Sequence, residues 1–164
     1  MPKKSPGKPK PPVGPGDLAP SFVLPTTEGG EVGLADYEGQ RLVLFFYPKD
    51  DTSGCTKEAL AFSALLPKFS RRGVRLLGVS RNTLAQHERF IEKHGLKTPL
   101  GSDESGEVCE AFGVWVEKTL YGRKYMGIER STFLIGPDSR ILHAWRKVKV
   151  DGHAEAVVEA CKTS

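Results

Sequence analysis

Cysteine is scarce in this chain. Its 164 residues include three, Cys55, Cys109 and Cys161, and no two stand at C-x-x-C spacing. That count and spacing argue against a disulfide-stapled scaffold, a thioredoxin-type redox pair and a zinc knuckle. Widely spaced thiols of this kind suit a reducing, cytoplasmic setting. The four histidines, His87, His94, His143 and His153, are scattered and give no pair at ligand spacing with a third partner, so neither metal nor cofactor is assigned. Long apolar runs are also missing. The longest, Leu42 to Tyr47, is strand-sized, far short of the roughly 18 residues of a membrane span. The first residues hold no apolar core of the sort a secretory signal uses. Acid is absent from residues 1–16, which carry Lys3, Lys4, Lys8 and Lys10. Those lysines account for the net charge of +4: of 24 basic residues, 20 remain against 20 acidic ones. The rest of the chain is formally neutral and needs no basic face. Nucleic acid is therefore an unlikely partner, except for weak contact through the tail.

What is present is one domain's worth of core. Residues 1–16 are Pro, Gly and Lys with almost nothing to bury, and read as a disordered basic tail. Residues 17–164 read as a single α/β domain. Phe22-Val23-Leu24 and Val32 to Leu34 flank the turn Glu28-Gly29-Gly30-Glu31, and one helical turn follows over Leu34 to Glu38. Arg41 to Tyr47 is apolar without alternation, as in a central strand covered on both faces. Ala59, Phe62, Leu66 and Phe69 recur at helical spacing, with Pro67 predicting a kink or early break. Val74 to Val79 is a second buried strand. A helix runs from the cap Thr83 to His94, with Leu84, Phe90 and Ile91 inward and Gly95 closing it. Thr98 to Leu100 is a short edge strand or a connector, and Ser105 to Phe112 a short helix. Thr132 to Ile135 and Ile141 to Trp145 form a hairpin about Pro137-Asp138-Ser139, and Gly152 to Cys161 is a closing helix. Trp115 and Trp145 read as packing residues.

The chain's chemistry concentrates where the central strand gives way to the first long helix, over Pro48-Lys49-Asp50-Asp51-Thr52-Ser53-Gly54-Cys55-Thr56-Lys57-Glu58. Cys55 falls where the helix begins. Unpaired amides and the helix dipole there favour a thiolate, and hence a nucleophile. Its neighbours Ser53, Gly54 and Thr56 are polar or small, unlike those of a buried structural cysteine. Thr52 is close enough to aim a hydroxyl into the same pocket, and Pro48 rigidifies the turn. Thiol, hydroxyl and amides together suit a small polar electrophile. Glu58 reads either as a first-turn acid favoured by the dipole or as a residue that fixes the loop. Lys49, Asp50 and Asp51 read as solvated.

Pro48-x-x-x-Thr52-x-x-Cys55 resembles the peroxiredoxin active-site pattern. The longer run from Phe46 to Glu58 is similar to the bacterioferritin-comigratory-protein (PrxQ) branch, as are Val108 to Trp115, Tyr121-Gly122-Arg123 and Gly127 to Ile135. This resemblance spans nearly everything from Asp17 onward. It implies a thioredoxin-like fold with an N-terminal strand–turn extension, and a thiol peroxidase acting on hydrogen peroxide and organic hydroperoxides. Arg130 matches the arginine that sits over the catalytic sulfur in such enzymes. Cys55, Thr52 and Arg130 are then the catalytic set, and Pro48, Gly54 and Glu58 shape the peroxide site.

One departure matters. Many relatives place a resolving cysteine five residues after the catalytic one, where this chain has Leu60; others place it in the following helix, which here has none. The expectation is one-Cys-like turnover with an external reductant such as thioredoxin, glutaredoxin or a small thiol, by a monomer. Recruitment of Cys109 or Cys161 is the minority alternative. The rival functions are a thiol–disulfide oxidoreductase, a peroxide sensor, or a binding module whose tail contacts nucleic acid.

Overall fold

The computed structural model describes residues 12–163. Most of the proposed tail, residues 1–11, lies outside them. Residues 13–16, assigned to the tail above, are instead held by the domain. Gly16 N–H donates to Ile141 O at 2.8 Å, and the Arg146 guanidinium donates to Val13 O at 2.8 Å and Phe112 O at 3.0 Å.

Five strands make the main sheet. β3 (Arg41–Phe46) lies at its centre, parallel to β4 (Val74–Ser80) and antiparallel to β8 (Ser131–Ile135); β5 (Leu100–Ser102) and β9 (Ile141–Trp145) form the edges. The unbroken apolar run of β3 has its expected cause. Leu42, Leu44 and Phe46 face one core with Phe112 and Phe133, while Val43, Phe45 and Tyr47 face another with Phe62 and Phe69. The second core is covered by α1 (Ser53–Ser70) and α4 (His153–Thr163). α2 (Leu84–His94) and α3 (Glu107–Ala111) complete the helices, and a short hairpin, β1 (Val23–Pro25) and β2 (Glu31–Gly33), precedes a 3-10 turn over Leu34–Tyr37. The Thr83 cap is present as a full capping box with Gln86, and Gly95 closes α2 at φ 63°.

Two further features differ from the sequence reading. α1 passes through Pro67 without a break. The proline costs one ladder bond near the end of the helix, where Phe69 is fully buried and holds the helix against the core. The second difference is an unforeseen hairpin, β6 (Trp115–Leu120) with β7 (Arg123–Ile128). Its strands are largely exposed, so no burial imposes an alternating pattern. Its turn, Tyr121-Gly122, has φ 51° and 77°, the two left-handed positions of a type I′ turn, with Tyr in place of the usual Asn or Asp.

Packing is tight where β3 and β4 meet α1. A Cβ on Gly78 would sit 2.6 Å from the ring of buried Phe45, and that ring is stacked on Phe62 at 4.4 Å. Gly78→Ala should therefore destabilise the domain by about 1–3 kcal/mol through overpacking. Chemical denaturation would read this as a lower midpoint; an unchanged midpoint would mean the core has slack at this point.

Candidate active site

Thr52 occupies the N-cap of α1 but makes no side-chain cap hydrogen bond. Its hydroxyl donates to Lys49 O at 3.2 Å instead. The helix ladder begins with Thr56 N–H to Thr52 O at 2.8 Å, so the amides of Ser53, Gly54 and Cys55 precede it and remain outside the intrahelical set. Cys55 is the third residue of the helix and its side chain is buried, 1 % exposed. No acid lies in the first turn to compete for the dipole.

Glu58 is not the first-turn acid that its sequence position suggested. It lies in the second turn, on the inner face, 2 % exposed. From there it meets Arg130, which stands just before β8. One guanidinium nitrogen of Arg130 donates to Glu58 Oε1 at 2.7 Å and the other to Cys55 Sγ at 3.3 Å. Burial pushes the Glu58 carboxyl up to about 7, against the pull of Arg130. Its second oxygen, Oε2, is buried and has no hydrogen-bond partner among the described residues. The Arg130 guanidinium is itself raised above its ordinary value: burial works against the charge, but Glu58 and Cys55 outweigh it. A Cβ on Gly54 would lie 3.4 Å from the same guanidinium, so Arg130 rests on the helix start.

The remaining expected residues fall into two groups. Pro48 lines a cleft of about 470 Å³ together with Lys118, Trp115, Tyr125 and Met126, beside the Cys55 loop. Cys109 and Cys161 are both buried and lie away from Cys55. Cys109 belongs to the core on the opposite face of the sheet, and burial, then Asp103, pushes its thiol far up. Cys161 offers its carbonyl to Arg41 Nη1 at 2.7 Å, so it lies by the first residue of β3, whereas Cys55 lies beyond the last. That strand spans roughly 16 Å at about 3.3 Å per residue, against the roughly 7 Å limit on Cα separation in a disulfide.

Several residues at the site were missed or misread. Lys118, on the unforeseen hairpin, is held below its ordinary value by burial and by Arg130. His153 is buried at the start of α4, bonded to Thr132 Oγ1 at 2.8 Å; burial, then Arg130, lowers it to about 4. Asp50, read as solvated, is buried against Tyr47 and His87. Asp51 is exposed, as expected, and pairs with Lys93 and His94. No spacing rule joins these residues; the sheet topology does. No metal-binding group of His, Cys, Asp or Glu occurs among the described residues, and none of their helices is long and apolar enough to cross a membrane.

A buried thiol at a helix start under a guanidinium shared with a carboxyl is a specific arrangement, and the AhpC/TSA family profile matches residues 15–144 of this chain. The chain is a peroxiredoxin of the Bcp/PrxQ branch. It is 49% identical over 146 residues to Peroxiredoxin Bcp of Xanthomonas campestris pv. campestris, covering 88% of this chain and 91% of that one. Against Peroxiredoxin Bcp of Escherichia coli K12 it is 41% identical over 151 residues, covering 92% and 97%. The solved structure of Xanthomonas campestris Peroxiredoxin Q superposes with a TM-score of 0.83 at 48% identity, over 87% of this chain and 90% of that one. The Xylella fastidiosa PrxQ structure gives 0.84 at 44% identity, over 90% and 96%. These neighbours carry the thioredoxin-like fold, and this peroxiredoxin is a thiol peroxidase.

Glu58 and His153 make opposite contributions to stability as pH changes. A carboxyl raised from 4.5 to about 7 stabilises the fold at low pH and loses that contribution as pH rises through about 7. A histidine lowered from 6.5 to about 4 stabilises the fold above 6.5 and loses that contribution as pH falls through about 4. The two slopes oppose between pH 4.5 and 6.5. Glu58→Gln should therefore steepen the loss of stability toward acid, and His153→Gln should make stability fall as pH rises toward 7. Denaturation midpoints across this range check both, and identical profiles for the two variants would refute the assignment.

Proposed function

We propose that Cys55 reduces hydrogen peroxide and organic hydroperoxides, and that the observation carrying this is the Arg130 guanidinium on its sulfur. The thiolate attacks the terminal peroxide oxygen in line with the O–O bond. An S–O bond forms, the O–O bond breaks, and the leaving alkoxide or hydroxide takes a proton from solvent to become alcohol or water. Cys55 is left as a sulfenic acid. Arg130 stabilises charge on sulfur and on the departing oxygen. Thr52 has its proton on Lys49 O, so its oxygen is free to accept the peroxide O–H, while the amides of Gly54 and Cys55 donate to the peroxide oxygens. Pro48 holds the turn and Glu58 positions Arg130. Organic hydroperoxides are included because a relative of known structure, the Xanthomonas campestris bacterioferritin comigratory protein, has alkyl peroxide reduction activity, and because the cleft beside Pro48 offers an apolar wall of Trp115, Tyr125 and Met126.

Regeneration uses an external thiol in a one-Cys cycle. That thiol condenses with the sulfenic acid to release water and form a mixed disulfide, which a second thiol reduces. Thioredoxin, glutaredoxin or a small thiol would serve. Support comes from the placement of Cys109 on the far face of the sheet and Cys161 at the far end of β3. Cys55, Glu58 and Arg130 come from one chain, so a monomer suffices. A reducing cytoplasm keeps the three thiols free.

The test is single-turnover oxidation by hydrogen peroxide and an alkyl hydroperoxide, read by intact mass with a sulfenic-acid trap. Trapped Cys55 at a rate far above that of a free thiol is expected, as is full turnover by Cys109→Ser/Cys161→Ser with a dithiol. An internal disulfide, or loss of turnover in that double variant, would overturn the one-Cys cycle. A rate no faster than a free thiol would overturn the peroxidase assignment to Cys55.

A further inference from the structure

The loop that carries Cys55 is fastened to α2 by a buried cluster with no place in the chemistry above. Tyr47 O–H donates to Asp50 Oδ1 at 2.6 Å. Asp50 Oδ2 lies 2.7 Å from His87 Nδ1, and His87 Nε2 lies 2.9 Å from Gly101 O on β5. The His87 side chain is fully buried and that of Asp50 is 6 % exposed. Backbone joins in: Asp50 N–H donates to Asn82 Oδ1 at 3.0 Å, and Asn82 is fixed by Ser80 Oγ at 2.9 Å and by Ser102 Oγ on its carbonyl at 2.6 Å. The next residue, Asp51, is tied to the end of α2 through Lys93 at 2.6 Å and His94 at 2.7 Å. Asp51 has φ 62°, a left-handed backbone that such ties can hold in place.

Donor accounting fixes the protons. A carbonyl only accepts, so His87 Nε2 carries a proton toward Gly101. Tyr47 uses its own proton on Asp50, and burial raises that phenol well above its ordinary range, so it stays a donor. One proton is left for the short contact between Nδ1 and Oδ2. With that single shared proton every polar atom of the cluster is satisfied and the pair is neutral as a whole.

We propose that Asp50 and His87 are positioning residues for Cys55: they hold the β3–α1 loop against α2 so that the thiol, the N-cap and Arg130 stay in register. Removing either leaves a buried group without its partner and frees the loop five residues before the thiol. Cys55 then moves out from under Arg130 and becomes accessible. The reaction with peroxide slows, because it depends on the register, while alkylation by iodoacetamide, which the burial of Cys55 restricts, speeds up.

This inference rests on the peroxidase reading, but its test separates the two. His87→Ala and Asp50→Ala are compared with the full-length parent protein well below their melting temperatures. Peroxide oxidation of Cys55 is timed, and iodoacetamide labelling of all three cysteines is mapped by mass. We expect peroxide oxidation to slow at least tenfold and Cys55 labelling to rise at least tenfold, with buried Cys109 and Cys161 labelled no faster than in the parent. Asp50→Asn is the conservative rescue: its amide can donate to His87 Nδ1 and its oxygen can accept from Tyr47, so both rates should return most of the way. Equal gains in labelling at all three cysteines would show a merely structural role and overturn the proposal. So would an unchanged peroxide rate in His87→Ala, or an Asp50→Asn as impaired as Asp50→Ala. If the parent itself fails to react with peroxide, the peroxidase reading falls, and the labelling pattern alone decides whether the lock exists.

Discussion

One guanidinium joins the two halves of this site. Arg130 reaches Cys55 with one nitrogen and Glu58 with the other, and it arrives from a part of the chain 75 residues away. Everything else in the fold keeps that meeting in place. β3 and β8 are neighbours, so the start of α1, which follows β3, and the residue preceding β8 come together at one end of the sheet. A change of one residue in that register would point the β8 side chains to the other face and carry Arg130 away from the thiol.

Glu58 fixes the direction of Arg130. Its carboxyl is pushed up to about 7 because desolvation outweighs the pull of the neighbouring cation. The short hydrogen bond from Arg130 to Glu58 Oε1 holds one guanidinium nitrogen, and with that nitrogen fixed the other is aimed at Cys55 Sγ.

Much of this was legible in the sequence because it is local or strongly periodic. The apolar run of β3, the capping box of α2 and the turn between β8 and β9 each follow from short-range chemistry. Cys55 stood out through its polar neighbours at a helix start, and Arg130 through a resemblance carried by flanking residues. What escaped was set by tertiary placement. Asp50 looks solvated in a run of charge, yet His87 from α2 and the edge strand β5 close over it. The β6–β7 hairpin escaped because exposed strands carry no burial pattern, and with it escaped Lys118. Pro67 misled because its one lost bond falls where packing already holds the helix.

The central claim is that the Arg130 charge, held by Glu58, makes Cys55 reactive toward peroxide. The direct measurement is the stopped-flow rate constant of Cys55 with hydrogen peroxide in Cys109→Ser/Cys161→Ser, with and without Arg130→Gln. Glutamine can still hydrogen-bond but has no charge. The account predicts a fall of about 10²–10³ with the fold intact, in line with the loss of one charge-stabilising donor. A rate within a few-fold of the parent would contradict it and would leave the helix start alone as the source of reactivity.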